Sequence, residues 1–186
     1  MTVLGLLLAA GAGRRMGQPK ALVHDDDASW LLRSVDVLLD GGCDQVRVVL
    51  GAAYDEAAAL LSTHPDPLVT HVQAEAWADG MSASLLAGLD ALPDEASAVV
   101  VHLVDLPDVG ADVVRAVLAG GPAPARLARA AYAGRPGHPV LIGRNHAAAV
   151  RAATTGDQGA KAYFAAHPHE LIECGDLASG VDVDFR

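Results

Sequence analysis

The sequence predicts an α/β fold, a mostly parallel sheet covered by helices on both faces. Three observations carry this. Apolar, Val- and Leu-rich runs recur along the chain, segments of helical periodicity separate them, and the runs are apolar throughout rather than alternating. TVLGLLLA at 2–9 reads as the first buried strand. QVRVVLG at 45–51, LVTHVQ at 68–73 and SAVVVHLVD at 97–105 are further strands, followed by RLARAAY at 126–132, HPVLI at 138–142 and ELIEC at 170–174. Helices are expected near 28–41, 53–62, 81–92, 109–119, 144–153 and 158–166.

At 186 residues and 52% hydrophobic content, the chain is expected to form one domain, 1–186, with an ample core. A net charge of -10 leaves no basic footprint, so neither nucleic acid nor an anionic membrane is an expected partner. Cys43 and Cys174 are too few and too far apart for a disulfide framework or a zinc site, which fits a reducing compartment. The apolar N-terminus lacks a basic leader and is too short to span a bilayer, so a cytoplasmic protein is expected.

Against this acidic background the positive charge of LAAGAGRRMGQPK, residues 8–20, stands out. The segment would sit at the carboxyl end of the first strand, where open α/β sheets bind ligands. A turn of small residues lets backbone approach a phosphate, and Arg14, Arg15 and Lys20 can meet its charge. The spacing is not that of a P-loop, because Gly17 is followed by Gln18, Pro19, Lys20 and Ala21 with no hydroxyl for magnesium. Nor is it the dinucleotide fingerprint, since the glycines fall at 11, 13 and 17 and the next strand ends without a ribose-binding carboxylate. A triphosphate fits better. GGPAP at 120–124 then divides a nucleotide-binding half, 1–119, from an acceptor-binding half, 120–186.

Other polar residues stand at expected strand and helix ends. Asp105 closes the most apolar strand and is a candidate ligand for a hard cation such as Mg2+; the alternative, a helix N-cap, suits Asp108 better. Gly80, Ser82 and Ser84 open an apolar helix, either as a base or anion site or as an ordinary cap with Trp77 as core filler. Gly137, His138 and Pro139 begin a strand, and Gly156, Asp157, Gln158 and Gly159 begin a helix beside Lys161; each group reads as a turn or as a place of substrate approach. Asp182 and Asp184 project on one face of an extended segment, to complete a metal site with Asp105 or to form a solvated tail. His102, His167 and His169 match no compact metal motif.

LAAGAGRRMGQPK, WADGMSASL, LVDLP, GRPGHPVLI, GDQGA and DVD occur in the order and approximate spacing of the nucleotidyltransferases of molybdenum cofactor biosynthesis. The chain resembles most closely their molybdopterin cytidylyltransferase branch. That resemblance implies a three-layer Rossmann-like nucleotidyltransferase fold and Mg2+-dependent transfer of CMP from CTP to the phosphate of molybdopterin, releasing pyrophosphate. By the same resemblance Leu8, Ala9, Ala10, Gly11, Ala12, Gly13 and Arg14, with Gly80, Ser82 and Ser84, would hold the nucleotide, and Arg15, Lys20 and Asp105 would serve catalysis. Asp105 with Asp182 or Asp184 would bind metal, and Gly137, His138, Pro139 and Gly156, Asp157, Gln158, Gly159 would bind the phosphorylated pterin. A molybdenum hydroxylase apoenzyme is the implied downstream partner. Guanylyl relatives carry LAGG where this chain has Leu8, Ala9, Ala10 and Gly11, so Ala10 favours CTP. Two departures stand: HDDDASWLL at 24–32 is unusually acidic, and the family pattern continues beyond Arg186. The other readings are the same fold with GTP or another triphosphate and another phosphorylated acceptor, and a nucleotide- or pterin-binding accessory protein without turnover.

Overall fold

The computed structural model describes residues 1–25 and 28–184; part of the acidic 24–32 stretch and the last two residues lie outside it. Strand β1, Thr2–Ala9, is followed by a glycine-rich loop, a 3-10 turn at Lys20–Leu22 and a small hairpin of β2, His24–Asp25, and β3, Ala28–Ser29. Then come α1, Trp30–Asp40; β4, Gln45–Leu50; α2, Tyr54–Leu61; β5, Val69–Gln73; a 3-10 turn at Trp77–Asp79; and α3, Met81–Asp90. β6, Ala96–Leu103, and α4, Ala111–Leu118, precede a hairpin of β7, Leu127–Tyr132, and β8, Arg135–Gly143. The chain continues through α5, Arg144–Ala153, and α6, Lys161–Ala166, to β9, Glu170–Glu173.

Seven strands form one sheet in the order β5-β4-β1-β6-β8-β7-β9. Among the described residues of this sheet, β8 alone runs against its neighbours β6 and β7, and every other pairing in it is parallel. The mostly parallel α/β architecture is therefore present, with one reversed strand that hydropathy could not reveal.

Both faces of the sheet are covered. Along β1, Val3, Leu7 and Ala9 enter one core while Leu4, Leu6 and Leu8 enter the other, the period-2 alternation of a strand with no wet side. The first core takes Leu31, Val35 and Leu38 of α1, Ala57 of α2 and Val113, Val114 and Val117 of α4. The second takes Leu85 and Leu89 of α3, Val150 of α5 and Phe164 of α6. Burial at this density is the main source of stability. α1 begins where Ser29 Oγ accepts the Leu32 amide at 3.3 Å, a side-chain N-cap. Among the described residues, no helix is long and apolar enough to cross a membrane.

Two boundaries differ from expectation. β6 stops at Leu103 because the chain turns there, the Val104 amide donating across to the Leu8 carbonyl at 3.3 Å, so Asp105 lies in the turn beyond the strand. β8 starts three residues earlier than its apolar run, at Arg135, because Ala133 and Gly134 both adopt positive φ, the two-residue turn that suits a twisted hairpin. Asp108 does not cap α4; Gly110 holds that position, and Asp108 Oδ2 instead accepts from the Ser179 amide at 2.7 Å and its hydroxyl at 2.5 Å.

That contact starts a C-terminal strap. Gly180, at φ +64°, packs against the Tyr132 ring where a Cβ would collide, and the Val183 amide then donates to the Asp105 carbonyl at 2.9 Å. Gly180→Ala is expected to lower stability by about 1–3 kcal/mol and to speed hydrogen exchange at Val183; unchanged exchange there would show that the strap does not depend on this glycine.

His102 lies on β6 opposite Leu7, fully buried, with neither ring nitrogen hydrogen-bonded among the described residues. Burial pushes its pKa down to about 4. Because the unfolded value is higher, about 6.5, the unfolded chain binds the extra proton and acid weakens the fold. This loss is absent above neutrality and grows to about 2 kcal/mol by pH 5. His102→Leu should flatten the pH dependence of denaturant unfolding between pH 7 and 5.

Candidate active site

The loop after β1 folds back on itself, the Met16 amide donating to the Gly13 carbonyl at 2.8 Å. Gly13 takes φ +56°, and a Cβ there would fall on the Gln18 carbonyl, so the turn is open only to glycine. The loop forms one side of a cavity of about 520 Å³. The 3-10 turn at Trp77 and the start of α3 form the opposite side, and Leu8 and Leu103 lie at the base.

One end of this cavity carries opposed charges from three distant segments. Lys20 Nζ donates to Asp105 Oδ2 at 2.6 Å and to Asp184 Oδ1 at 2.7 Å, and Arg15 Nη1 to Asp184 Oδ2 at 3.0 Å. Burial works against the Lys20 ammonium, yet its bonds to the two carboxylates prevail and hold its pKa above the ordinary lysine value. The same Lys20 bond holds Asp184 below the usual carboxylate range. Oxygens of Asp105, Asp182 and Asp184 lie within 4.8 Å of one another. Asp105 Oδ1 is buried with no hydrogen-bond partner among the described residues, although a buried carboxylate oxygen strongly favours one. A hard divalent cation with oxygen preference fits that donor set.

A second cavity of about 670 Å³ adjoins the first, with Leu8, Met81 and Asp157 lining both. It lies over β6, β8 and β7 and under α3 and α6. The Gly159 amide donates to Ser82 Oγ at 3.1 Å, which pins the 156–159 loop to α3. Asp157 Oδ1 sits where a Cβ on Gly80 would stand. The chain's two lysines, Lys20 and Lys161, thus line different cavities. Burial, followed by the neighbouring His102 and Arg129, pushes the pKa of His138 down to about 3, so this cavity-lining imidazole is neutral near pH 7.

Most residues singled out in the sequence come together. Leu8, Ala10, Gly11, Ala12, Gly13, Arg14, Arg15, Lys20, Gly80, Ser84, Asp105 and Asp184 line the first cavity, and Gly137, His138, Asp157, Gln158 and Gly159 the second. Asp182 lies beside Asp105 and Asp184 without lining either cavity, and four others do not join them. Ala9 alternates into the opposite core, Ser82 turns to Gly159, Pro139 is buried away from the cavity, and Gly156 is exposed at the outer turn. Trp77, core filler on the alternative reading, packs half-buried against the second core and also lines the first cavity. Arg129 and Phe164 of the second were not singled out at all; an arginine within RLARAAY carried no motif to mark it.

A glycine turn after the first strand, with carboxylates and Lys20 gathered at one end of the same cavity, offers the cationic and oxygen groups that a nucleotidyltransferase calls for. That is the class to which fold and site assign this chain. Residues 5–171 match the MobA-like NTP transferase domain, and the chain belongs to that family. It is 35% identical to nicotine blue oxidoreductase of Paenarthrobacter nicotinovorans, over 98% of this chain and 92% of that protein. Rv0371c of Mycobacterium tuberculosis is 28% identical in sequence, with TM-score 0.79 over 100% of this chain and 94% of that one. Rv0371c has also been crystallised in complex with manganese, that structure matching at 27% identity and TM-score 0.72 over 98% and 94% of the two chains. A Methanothermobacter nucleotidyl transferase shares the fold at 21% identity and TM-score 0.80, over 99% and 92%.

Lys20→Met would leave the Asp105 and Asp184 carboxylates facing each other without their shared cation. Its Tm is expected to fall by roughly 3–8 °C, and added Mn2+ should raise it by more than it raises that of the wild type. An equal Mn2+ response in both proteins counts against a cation site between these carboxylates.

Proposed function

We propose that the protein transfers CMP from CTP to the phosphate of molybdopterin, with Mg2+ as the metal. The observation that carries the reading is Lys20 shared by Asp105 and Asp184 at the mouth of the glycine loop, one shared wall away from the second cavity. The 1–119 half would bind the nucleotide and the 120–186 half the acceptor. Ala10 supports CTP, since its methyl stands in the cavity wall where guanylyl relatives have glycine. The relative crystallised with manganese supports a divalent ion.

In the reaction an acceptor phosphate oxygen attacks the α-phosphorus, and the bond from that phosphorus to the bridging oxygen of the β-phosphate breaks, releasing pyrophosphate. Attack of anion on anion is slow unless both are held in line and their charge is offset. Loop amides from Gly11 to Gly13 would hold the phosphates, and Arg15 and Lys20 would offset the charge that develops on the leaving group. A divalent ion bound at Asp105, with Asp184 or Asp182, would add charge neutralisation there. The nucleophile is already ionised near neutral pH, so no general base is needed, and neutral His138 is free of that duty.

The 35% identical relative supports a second reading, because its name is that of an oxidoreductase. On that reading the first cavity would hold the diphosphate of a nicotinamide dinucleotide and the second an aromatic acceptor. A thermal-shift panel of CTP, GTP, ATP, UTP and NADH, each with Mg2+, separates the readings: CTP is expected to stabilise most, whereas a response to NADH alone supports the redox reading. With CTP and molybdopterin, pyrophosphate release should fall at least about 100-fold in Lys20→Ala and Asp105→Ala with the fold intact by circular dichroism. Turnover near that of the wild type in either variant would sink the transfer assignment.

A further inference from the structure

One cross-strand row of the sheet runs along the floor of the second cavity. Val101 of β6 lies opposite Val140 of β8, and Val140 opposite Arg129 of β7, and all three line the cavity. An arginine thus stands in a row of valines, in a cavity that Leu85, Ile142 and Phe164 also line. Burial is unfavourable for it and pulls its pKa below the ordinary arginine value.

Its neighbours orient the guanidinium without neutralising it. Nε and Nη2 donate to the Gly137 carbonyl at 3.3 and 3.1 Å, and the group lies over the Phe164 ring, 5.5 Å from its centroid. Among the described residues no carboxylate forms an ion pair with Arg129. Arg126, three residues earlier, shows the alternative: Glu170 grips it at 3.0 and 2.8 Å. Nη1 of Arg129 has no acceptor among the described residues. A preoriented, partly desolvated guanidinium with unused donors on a cavity floor is built to receive an oxyanion.

Arg129 also lies far from the carboxylate cluster. Two strand spacings separate it from β6, roughly 10 Å across the sheet, and Asp105 lies beyond the end of that strand. An anion at Arg129 is therefore not the group reacting beside Lys20. We propose that Arg129 binds an anionic group at the distal end of the second cavity's ligand, whose apolar or planar body packs against Phe164, Leu85 and Ile142. This rests on the second cavity being the acceptor's place, and makes Arg129 a specificity-determining residue for that acceptor.

The test uses the wild-type protein without nucleotide or metal and two fluorescent probes with one ring body. 8-Anilinonaphthalene-1-sulfonate carries an anion, and N-phenyl-1-naphthylamine does not. Saturable binding of the sulfonate is expected to be about tenfold tighter. Arg129→Gln should abolish that preference, Arg129→Lys should keep part of it, and Lys161→Gln should leave it in place. Equal binding of both probes by the wild type, or a preference that survives Arg129→Gln, overturns the proposal, as does its full loss in Lys161→Gln. Should Arg129→Gln fail to fold, a crystal structure of the wild type with the sulfonate decides: sulfonate oxygens at hydrogen-bond distance from Arg129 support the assignment, and placement elsewhere overturns it. Absence of pyrophosphate release by the wild type with CTP and molybdopterin, with the anion preference intact, would sink the transfer reading alone, and the converse would sink this one alone.

Discussion

The Lys20 ammonium, held between Asp105 and Asp184, is the contact on which the arrangement of the site depends. It joins the glycine loop after β1, the turn after β6 and the C-terminal strap, segments 85 and 164 residues apart from the lysine along the chain. Without a cation, carboxylates brought this close would repel, since like charges at short range in a partly dry site are costly. With it, three loops, two of them also joined by the Val183 amide on the Asp105 carbonyl, are drawn to one point. Arg15 adds a second tie to Asp184 from the same loop.

The sheet makes that meeting possible. β1 and β6 are parallel neighbours, so the loops that follow them leave from the same edge. The reversed β8 sends the chain the other way, and its hairpin with β7 widens the sheet beneath the second cavity. Glu173 steadies that hairpin by accepting the Ala133 and Gly134 amides at 2.9 Å each. The strap then returns across Tyr132 to deliver Asp184. The glycine loop and the β7–β8 hairpin are thereby set on adjoining cavities, with Asp157 lining both.

Much of this is legible in the amino-acid sequence. Strands such as 2–9 and helices such as 144–153 fall at their expected bounds because continuous apolar runs and helical periodicity are local signals. The glycine loop and Asp105 were legible because charge beside small residues at a strand's end is conspicuous in an acidic chain. Arg129 was not, because it sits in an apolar strand whose pattern says only that it is covered, and not whether protein or cavity covers it. Ser82 and Pro139 show the converse, since a residue inside a recognisable motif can still turn its side chain to the scaffold.

The amino-acid sequence by itself determined the alternation of strands and helices, the family, and the set of charged residues available to a site, because propensity, hydropathy period and motif spacing are properties of short segments. The tertiary structure alone decided which carboxylates meet Lys20, that the Asp182–Asp184 segment crosses back to Asp105, and that Arg129 faces a cavity rather than a partner. Those outcomes depend on strand order, on the reversal of β8 and on contacts between residues far apart in the chain. No local pattern encodes them, since a side chain's partner is set by whatever the fold brings opposite it.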